Sequence, residues 1–387
     1  MKMFRGILTG IVTICLLAIQ NPVLLAQGSG DEPQITAKAA ILIEASTGRV
    51  IWEKNADERH YPASTTKIMT ALLGLENIGP RTEVFISPDA AETEDCFLEI
   101  RAGERLTAEE LITGMLMVSD NGAAVAVAEQ VDGSVGAFAG RMNEKAQEIG
   151  MKHTHFANPN GLTNPDHYST PRDIATLARY AMEQEKFREI VCQKNRIISW
   201  AFPKKYLSVE NTNELLENYE GMNGIKTGWT QAAGGCLAAS ARRGGVELIA
   251  VLMQTPTPED RFADARRMLD YGFDKVRMVK GISQERVTRK IWIKNGKEAS
   301  VEAHLVSDIR YPLIDGESPE HYTVAYDVPK VLAAPLKEGE IVGKAVICYD
   351  GEPVGSVDLA AGRVEKGFSF SSWLVGLLEG ILNRVGN

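Results

Sequence analysis

No C-x-x-C pair, no H-E-x-x-H run and no excess of basic residues occurs in this chain of 387 residues. Each absence removes a class of function. A net charge of −9 leaves no basic face for a phosphate backbone, which excludes a nucleic-acid partner, and gives no general attraction to anionic lipid. His153 and His155 stand two apart but have no third ligand at a convincing spacing, so no metal site is expected. Cysteine is sparse: Cys15 falls within an N-terminal apolar run, and Cys96, Cys192, Cys236 and Cys348 are far apart. A chain of this size needs no disulfide staples. Cys236 and Cys348 sit in apolar, strand-like runs that suit buried thiols, although an even count leaves pairing open. No low-complexity tract or repeat is present, and the longest N-terminal apolar run, 6–19, is short for a bilayer span.

The two ends carry their own signals. Lys2 and Arg5 precede that apolar run, and Leu24, Leu25 and Ala26 close it before Gln27. A basic start, an apolar core and a small residue make a secretory signal peptide, 1–26, with cleavage near Ala26. Cys15 follows Ile14 rather than a small residue, against lipoprotein processing. At the other end Phe368, Phe370, Trp373, Leu374, Leu377, Leu378, Ile381, Leu382 and Val385 recur at helical spacing. Such an amphipathic helix, 367–387, can dock on its own domain, dimerise or lie in a membrane interface. Its place at the end of an exported chain favours the membrane surface on the extracytoplasmic side. Its polar face is poor in Lys and Arg, so attachment would rest on apolar burial.

Between the ends, the length allows more than one domain. Residues 38–44 and 48–53 read as a hairpin across Ala45 to Gly48. It leads into Pro62-Ala63-Ser64-Thr65-Thr66-Lys67, and the run Ile68, Met69, Ala71, Leu72, Leu73 that follows is apolar all round, the mark of a buried central helix. Residues three apart share a helix face, so Ser64 Oγ and Lys67 Nζ can meet. A serine hydroxyl becomes a nucleophile when a neighbouring base takes its proton, and lysine is such a base when burial or a nearby cation lowers its pKa. At that helix start the Ser64 N–H is free to serve an oxyanion. On its own, S-x-x-K is a weak motif.

Farther on, Thr107 to Glu110 is a capping box for a helix through Val118. Ser119-Asp120-Asn121 then separates it from a second helix, where it reads either as a cap or as polar groups aimed into a cleft. Thr170 and Pro171 start another helix. Lys226-Thr227-Gly228-Trp229 precedes strands 236–240 and 246–253, an antiparallel meander closed by a helix over 259–271. From about 276 to 364 the runs become β-branched and are separated by Asn295-Gly296 and Asp350-Gly351, which predicts a small all-β domain.

Ser64-x-x-Lys67, Ser119-Asp120-Asn121 and Lys226-Thr227-Gly228 stand in the order found in penicillin-binding proteins and class A β-lactamases. With Asn158-Pro-x-Gly-Leu162, His167-Tyr-Ser-Thr170, Gly224-Ile-Lys-Thr-Gly228 and the stretch Arg261–Phe273, the chain resembles the D-alanyl-D-alanine carboxypeptidases of peptidase family S11 over nearly all of its mature length. The resemblance implies an α/β (α+β) catalytic domain of the serine β-lactamase and penicillin-binding-protein kind, 27–275. An antiparallel sheet and a helical cluster would build it, followed by an all-β domain, 276–366, and the terminal helix. It implies Ser64 as acylated nucleophile, Lys67 as its base, Ser119 as proton relay, and Asn121 holding Lys67 and the substrate amide. Lys226 would be the cation that keeps Lys67 neutral. Thr227 and Arg261 would take the substrate carboxylate, Gly228 would allow close approach, and the backbone N–H groups of Ser64 and Trp229 would form the oxyanion hole. Asp120 departs from the usual family residue, and no role is carried over to it.

By the same resemblance the substrate is a peptidoglycan stem peptide ending in D-Ala-D-Ala, β-lactams acylate Ser64, and neither metal nor organic cofactor is needed. Two alternatives share features. A class A-like β-lactamase needs an E-x-x-L-N glutamate, which Glu214-Leu-Leu-Glu-Asn218 does not match. A non-catalytic cell-wall binding or scaffold protein would have no use for the intact trio.

Overall fold

A computed structural model describes residues 32–284 and 288–367. The expected signal peptide and the expected terminal helix lie outside the described residues, save for Gly367. Among the described residues no helix is long and apolar enough to cross a membrane.

The central sheet has five strands in the order Val50–Lys54, Ala39–Glu44, Val246–Thr255, Gly234–Arg243 and Met222–Thr230. Every neighbouring pair is antiparallel. Period-2 alternation divides its side chains between two cores. Ile41, Ile43, Ile249, Val251 and Met253 face a large helical cluster. Ala40, Leu42, Leu248, Ala250 and Leu252 face the opposite way, against the helix Asp260–Lys275 through Phe262, Ala265, Met268 and Leu269. The expected hairpin and meander are both present, and Met222–Thr230 is the free edge on the side of Ser64.

The helical cluster is arranged around Lys67–Asn77, whose first eight residues are all buried. It packs between Ala108–Val118 and Asn121–Asp132. The capping box at Thr107 is half made: its hydroxyl accepts from Glu110 N at 3.3 Å, while the Glu110 carboxylate takes Arg196 and the Ser199 amide. Thr170 caps Pro171–Met182 as the sequence predicts. A four-stranded sheet, Glu83–Phe85, Arg105–Thr107, Asn195–Phe202 and Tyr206–Glu210, was not foreseen from the sequence. Its inward face buries Val84, Leu106, Ile198, Trp200 and Val209, while Ile197, Phe202 and Tyr206 are exposed on the other. Both faces carry apolar residues, so the polar-apolar alternation is blurred.

The second domain is all-β. Six strands run in the order Tyr322–Asp327, Glu340–Tyr349, Glu352–Ala361, Ser300–Leu305, Thr288–Lys294 and Val331–Ala333, beside a separate pair Val276–Lys280 and Arg310–Ile314. Its core gathers Ile291, Leu305, Ile347 and Leu359. The four cysteines of the described residues are free, with Cys236 and Cys348 buried.

Candidate active site

Ser64 lies in a 3-10 turn, Ala63–Thr66, that runs directly into Lys67–Asn77. The turn is pinned from two sides by glycines, with no room for a side chain at Gly161 and little at Gly228. A β-carbon on Gly161 (φ +89°) would stand 1.9 Å from Ala63 O, and one on Gly228 would stand 3.0 Å from Ser64 N. The edge strand and the Asn158–Leu162 loop can therefore close on the serine from opposite flanks.

Lys67 is fully buried, and its Nζ has three neighbours: Ser64 Oγ at 2.9 Å, Asn121 Oδ1 at 2.6 Å and Asn160 O at 2.7 Å. Asn121 Nδ2 donates to Glu94 O at 3.0 Å, which fixes the amide with its oxygen toward the lysine. The two carbonyl oxygens can only accept. A neutral amine has two N–H groups to give them, and its lone pair is then left for the Ser64 hydroxyl. Burial drives the Lys67 pKa down to about 7, against the upward pull of Asp120, Asp95 and Cys96.

The sequence reading has Lys226 as the cation that keeps Lys67 neutral. The structure places burial first for Lys67, and Lys226 is itself buried and driven well below its ordinary value by desolvation, then by Lys67 and Arg261. Its Nζ donates to Thr227 O at 2.9 Å. Two buried ammonium groups so placed disfavour one another, and this repulsion opposes charging both.

Ser119 ends the Ala108–Val118 helix in the left-handed region (φ 65°), and its hydroxyl has no hydrogen-bond partner among the described residues. Asp120 is the cap: Oδ1 accepts from Ala123 N at 2.6 Å and Oδ2 from Leu98 N at 2.7 Å. Both readings of the S-D-N step thus apply, to different residues. Thr227 Oγ1 shares a 2.6 Å hydrogen bond with Thr212 Oγ1, and Arg261 Nη1 donates to Gly228 O at 2.9 Å while its buried Nε has no partner.

These groups line or underlie one cleft of about 210 Å³, with Ser64, Ser119 and Asn121 on the helical side and Thr227, Trp229 and Arg261 on the sheet side. Lys67 and Lys226 lie beneath it. Trp229 is 44% exposed at the rim. Sequence reasoning did not place Asn160 O, Thr212, Asp95, Phe97 or His167. A backbone carbonyl carries no residue signature, and the others lie on loops with no motif of their own. His167 and Asn160 do stand within motifs already noted, His167-Tyr-Ser-Thr170 and Asn158-Pro-x-Gly-Leu162, but neither motif assigns them this part. Among the described residues no group of three His, Cys, Asp or Glu converges as metal ligands do.

A family model described as D-alanyl-D-alanine carboxypeptidase matches residues 26–257, well over half of the chain. The chain belongs to that family. A second model, the C-terminal domain of penicillin-binding protein 5, matches residues 277–366. D-alanyl-D-alanine carboxypeptidase DacF of Bacillus subtilis is 34% identical over 343 residues, covering 87% of this chain and 88% of that protein. Penicillin binding protein 5 of Haemophilus influenzae superposes with a TM-score of 0.63 at 29% identity, covering 87% of this chain and 99% of that one. A peptidoglycan synthesis regulatory factor (PBP3) of Streptococcus pneumoniae gives 0.72 at 25% identity, over 86% and 100%. The first model thus falls on the mixed α/β catalytic domain and the second on the separate all-β domain.

Proposed function

We propose that this chain is a serine D-Ala-D-Ala carboxypeptidase that trims the terminal D-alanine from peptidoglycan stem peptides, with Ser64 as nucleophile and Lys67 as base. The observation that carries the assignment is the Lys67 amine. Its Nζ stands 2.9 Å from Ser64 Oγ between two obligate acceptors, so that once neutral it gives its two N–H groups to Asn121 Oδ1 and Asn160 O and turns its lone pair to the serine.

An extended peptide would lie along the free edge strand Met222–Thr230 as an added strand. Its terminal carboxylate would meet Thr227 and Arg261. Ser64 Oγ attacks the penultimate carbonyl as Lys67 takes the hydroxyl proton, and the negative oxygen is held by the Ser64 and Trp229 N–H groups. The peptide C–N bond breaks, D-alanine leaves as an amine with that proton, and an acyl-enzyme remains. Water then attacks the ester as its proton passes to Lys67, directly or through the Ser119 hydroxyl. The acyl C–O bond to Ser64 breaks, the shortened peptide leaves, and the proton returns to Ser64 Oγ. Asn121 orients Lys67 with its oxygen and has an N–H left for the substrate amide. A β-lactam carries a strained amide into the same cleft and leaves Ser64 acylated.

The reading extends to the whole chain. Export by the signal peptide 1–26 would bring the enzyme to the wall, and the amphipathic segment 367–387 would hold it at the membrane surface. The catalytic domain would end at 275, where the helix Asp260–Lys275 meets the strand Val276–Lys280. Holding the catalytic cleft away from the membrane is a use for the all-β domain.

Incubation with diacetyl-Lys-D-Ala-D-Ala and with labelled penicillin tests the assignment. Release of D-alanine together with a stable penicilloyl adduct on Ser64 is expected. Fast penicillin turnover without D-alanine release would replace the reading with a β-lactamase, and no acylation at all would leave a wall-binding scaffold.

A further inference from the structure

One wall of the cleft is built from a segment with no part in the chemistry above. Residues Glu94 to Leu98 are strapped onto the S-D-N step at three points. Asn121 Nδ2 donates to Glu94 O (3.0 Å), Asn121 N to Asp95 O (3.4 Å), and Leu98 N to the Asp120 carboxylate (2.7 Å). Two residues of the strap, Asp95 and Phe97, line the cleft. Phe97 is 59% exposed and offers an apolar surface at the cleft.

Among the described residues Asp95 is the one acidic residue lining the cleft, and it takes no ion pair and no side-chain hydrogen bond there. Across from it, on the sheet side, the lining cation is Arg261, with Lys226 buried behind Thr227. The cleft is therefore polarised: positive where the substrate carboxylate would sit, negative on the helical wall beside Asn121.

We propose that Asp95 and Phe97 form a specificity site for a stem peptide whose residue before D-Ala-D-Ala carries an ammonium group at the end of an aliphatic side chain. The inference rests on the carboxypeptidase reading and names the substrate class within it. With the terminal carboxylate at Thr227 and Arg261 and the scissile carbonyl at Ser64, the preceding residue is the next to reach the Asn121 wall. Phe97 covers the methylene stem, and the ammonium reaches Asp95. An exposed pair of this kind contributes modestly, a preference of about two- to fivefold at low salt.

The test compares kcat/KM for two peptides, Nα-acetyl-Lys-D-Ala-D-Ala with a free ε-ammonium and its Nα,Nε-diacetyl counterpart. The ratio is the readout, because Asp95 also acts on Lys67 and absolute rates will move in any variant. The native enzyme should favour the charged peptide about two- to fivefold, a preference that fades as salt screens it. Asp95→Asn should bring the ratio to about one, Asp95→Glu should retain the preference, and Asp95→Lys should invert it. Penicillin uptake by each variant reports that it is folded. A native ratio of one, or a ratio unchanged in Asp95→Asn, overturns the specificity site and leaves the carboxypeptidase standing. D-alanine release from neither peptide, with penicillin still bound, overturns both.

Discussion

Gly228 and Ser64 approach so closely that a β-carbon on the glycine would stand 3.0 Å from the serine amide nitrogen, and 3.1 Å from the neighbouring Ala63 Cβ. The edge strand is thereby brought against the very N–H that would receive an oxyanion. Gly228→Ala would push strand and turn apart by a few tenths of an ångström without unfolding either. Deleting one oxyanion donor outright costs about 10²–10³ in rate. We expect this smaller displacement to slow penicillin acylation by about ten- to a hundredfold, on that same scale, with little change in thermal midpoint. Native acylation rates in a folded Gly228→Ala would remove the oxyanion role from this contact.

The Lys67 amine sets the pH response. Its pKa of about 7 means that the base is protonated and inactive in acid and free above neutrality. Acylation should rise about tenfold per pH unit below 7 and level off above it. Lys67→Arg keeps a permanent charge at that place, and arginine gives up no proton in this range. That variant should fold and fail to label with penicillin. The same lowered pKa acts on stability. The unfolded chain holds a proton on this lysine up to about 10.5 that the folded chain releases near 7, so the cost of burying it falls as pH rises across that window. Denaturant titrations of Lys67→Met should lack this slope, and an identical slope in the variant would contradict it.

Much of this site is legible in the residues alone, and the reason is geometric. Ser64 and Lys67 are one helical turn apart, so their meeting follows from spacing. Gly228 is readable as a place of close approach because glycine in a strand has few other uses. A cap somewhere in Ser119-Asp120-Asn121 is legible because capping is local chemistry, and the structure gives that part to Asp120. The acceptor that completes the Lys67 environment, Asn160 O, is a backbone atom and leaves no trace in sequence. Asp95 and Phe97 reach the cleft only because Asn121 and Asp120 hold their loop there, and that long-range fit has no period to detect. The fold behaves alike: strands that alternate apolar and polar residues are legible. In the strand Asn195–Phe202 apolar side chains lie on both faces, Ile198 and Trp200 inward and Ile197 and Phe202 toward solvent, and the period is blurred.

Arg49, at the turn of the first hairpin, reaches out of the catalytic domain into the all-β one. Its Nη1 meets Glu317 at 2.5 Å, its Nη2 donates to Pro312 O at 2.6 Å and to the Tyr322 hydroxyl, and its guanidinium lies over the Tyr322 and Tyr349 rings. The pair with Glu317 is largely shielded from water, so its loss leaves a half-buried carboxylate unpaired. Arg49→Ala should destabilise the all-β domain by about 1–3 kcal/mol, seen by calorimetry as an earlier or separate transition. Penicillin acylation should be unchanged, since Arg49 is remote from the cleft. A single transition at the native temperature would show that the clamp contributes nothing.

His167 ties the loop that holds Lys67 to the turn that holds Ser64. Its Nδ1 accepts from Ala157 N at 3.0 Å, so the ring proton sits on Nε2 and is donated to Thr66 Oγ1 at 2.8 Å. Only the neutral ring can make both bonds, and burial lowers its pKa to about 4. The unfolded chain takes up a proton near 6.5, the folded chain not until about 4. The stability this histidine contributes is therefore complete above 6.5 and is lost as pH falls toward 4. Glutamine also offers one acceptor and one donor but does not titrate. His167→Gln should keep most acylation activity at pH 7 and show a flatter decline in denaturation midpoint between pH 6.5 and 4. His167→Ala, with neither bond, should acylate more slowly because both the Asn160 carbonyl and the Ser64 turn are then less firmly placed. Should His167→Gln lose stability in acid as steeply as the native chain, the acid sensitivity belongs to other groups and the ring is a packing element alone.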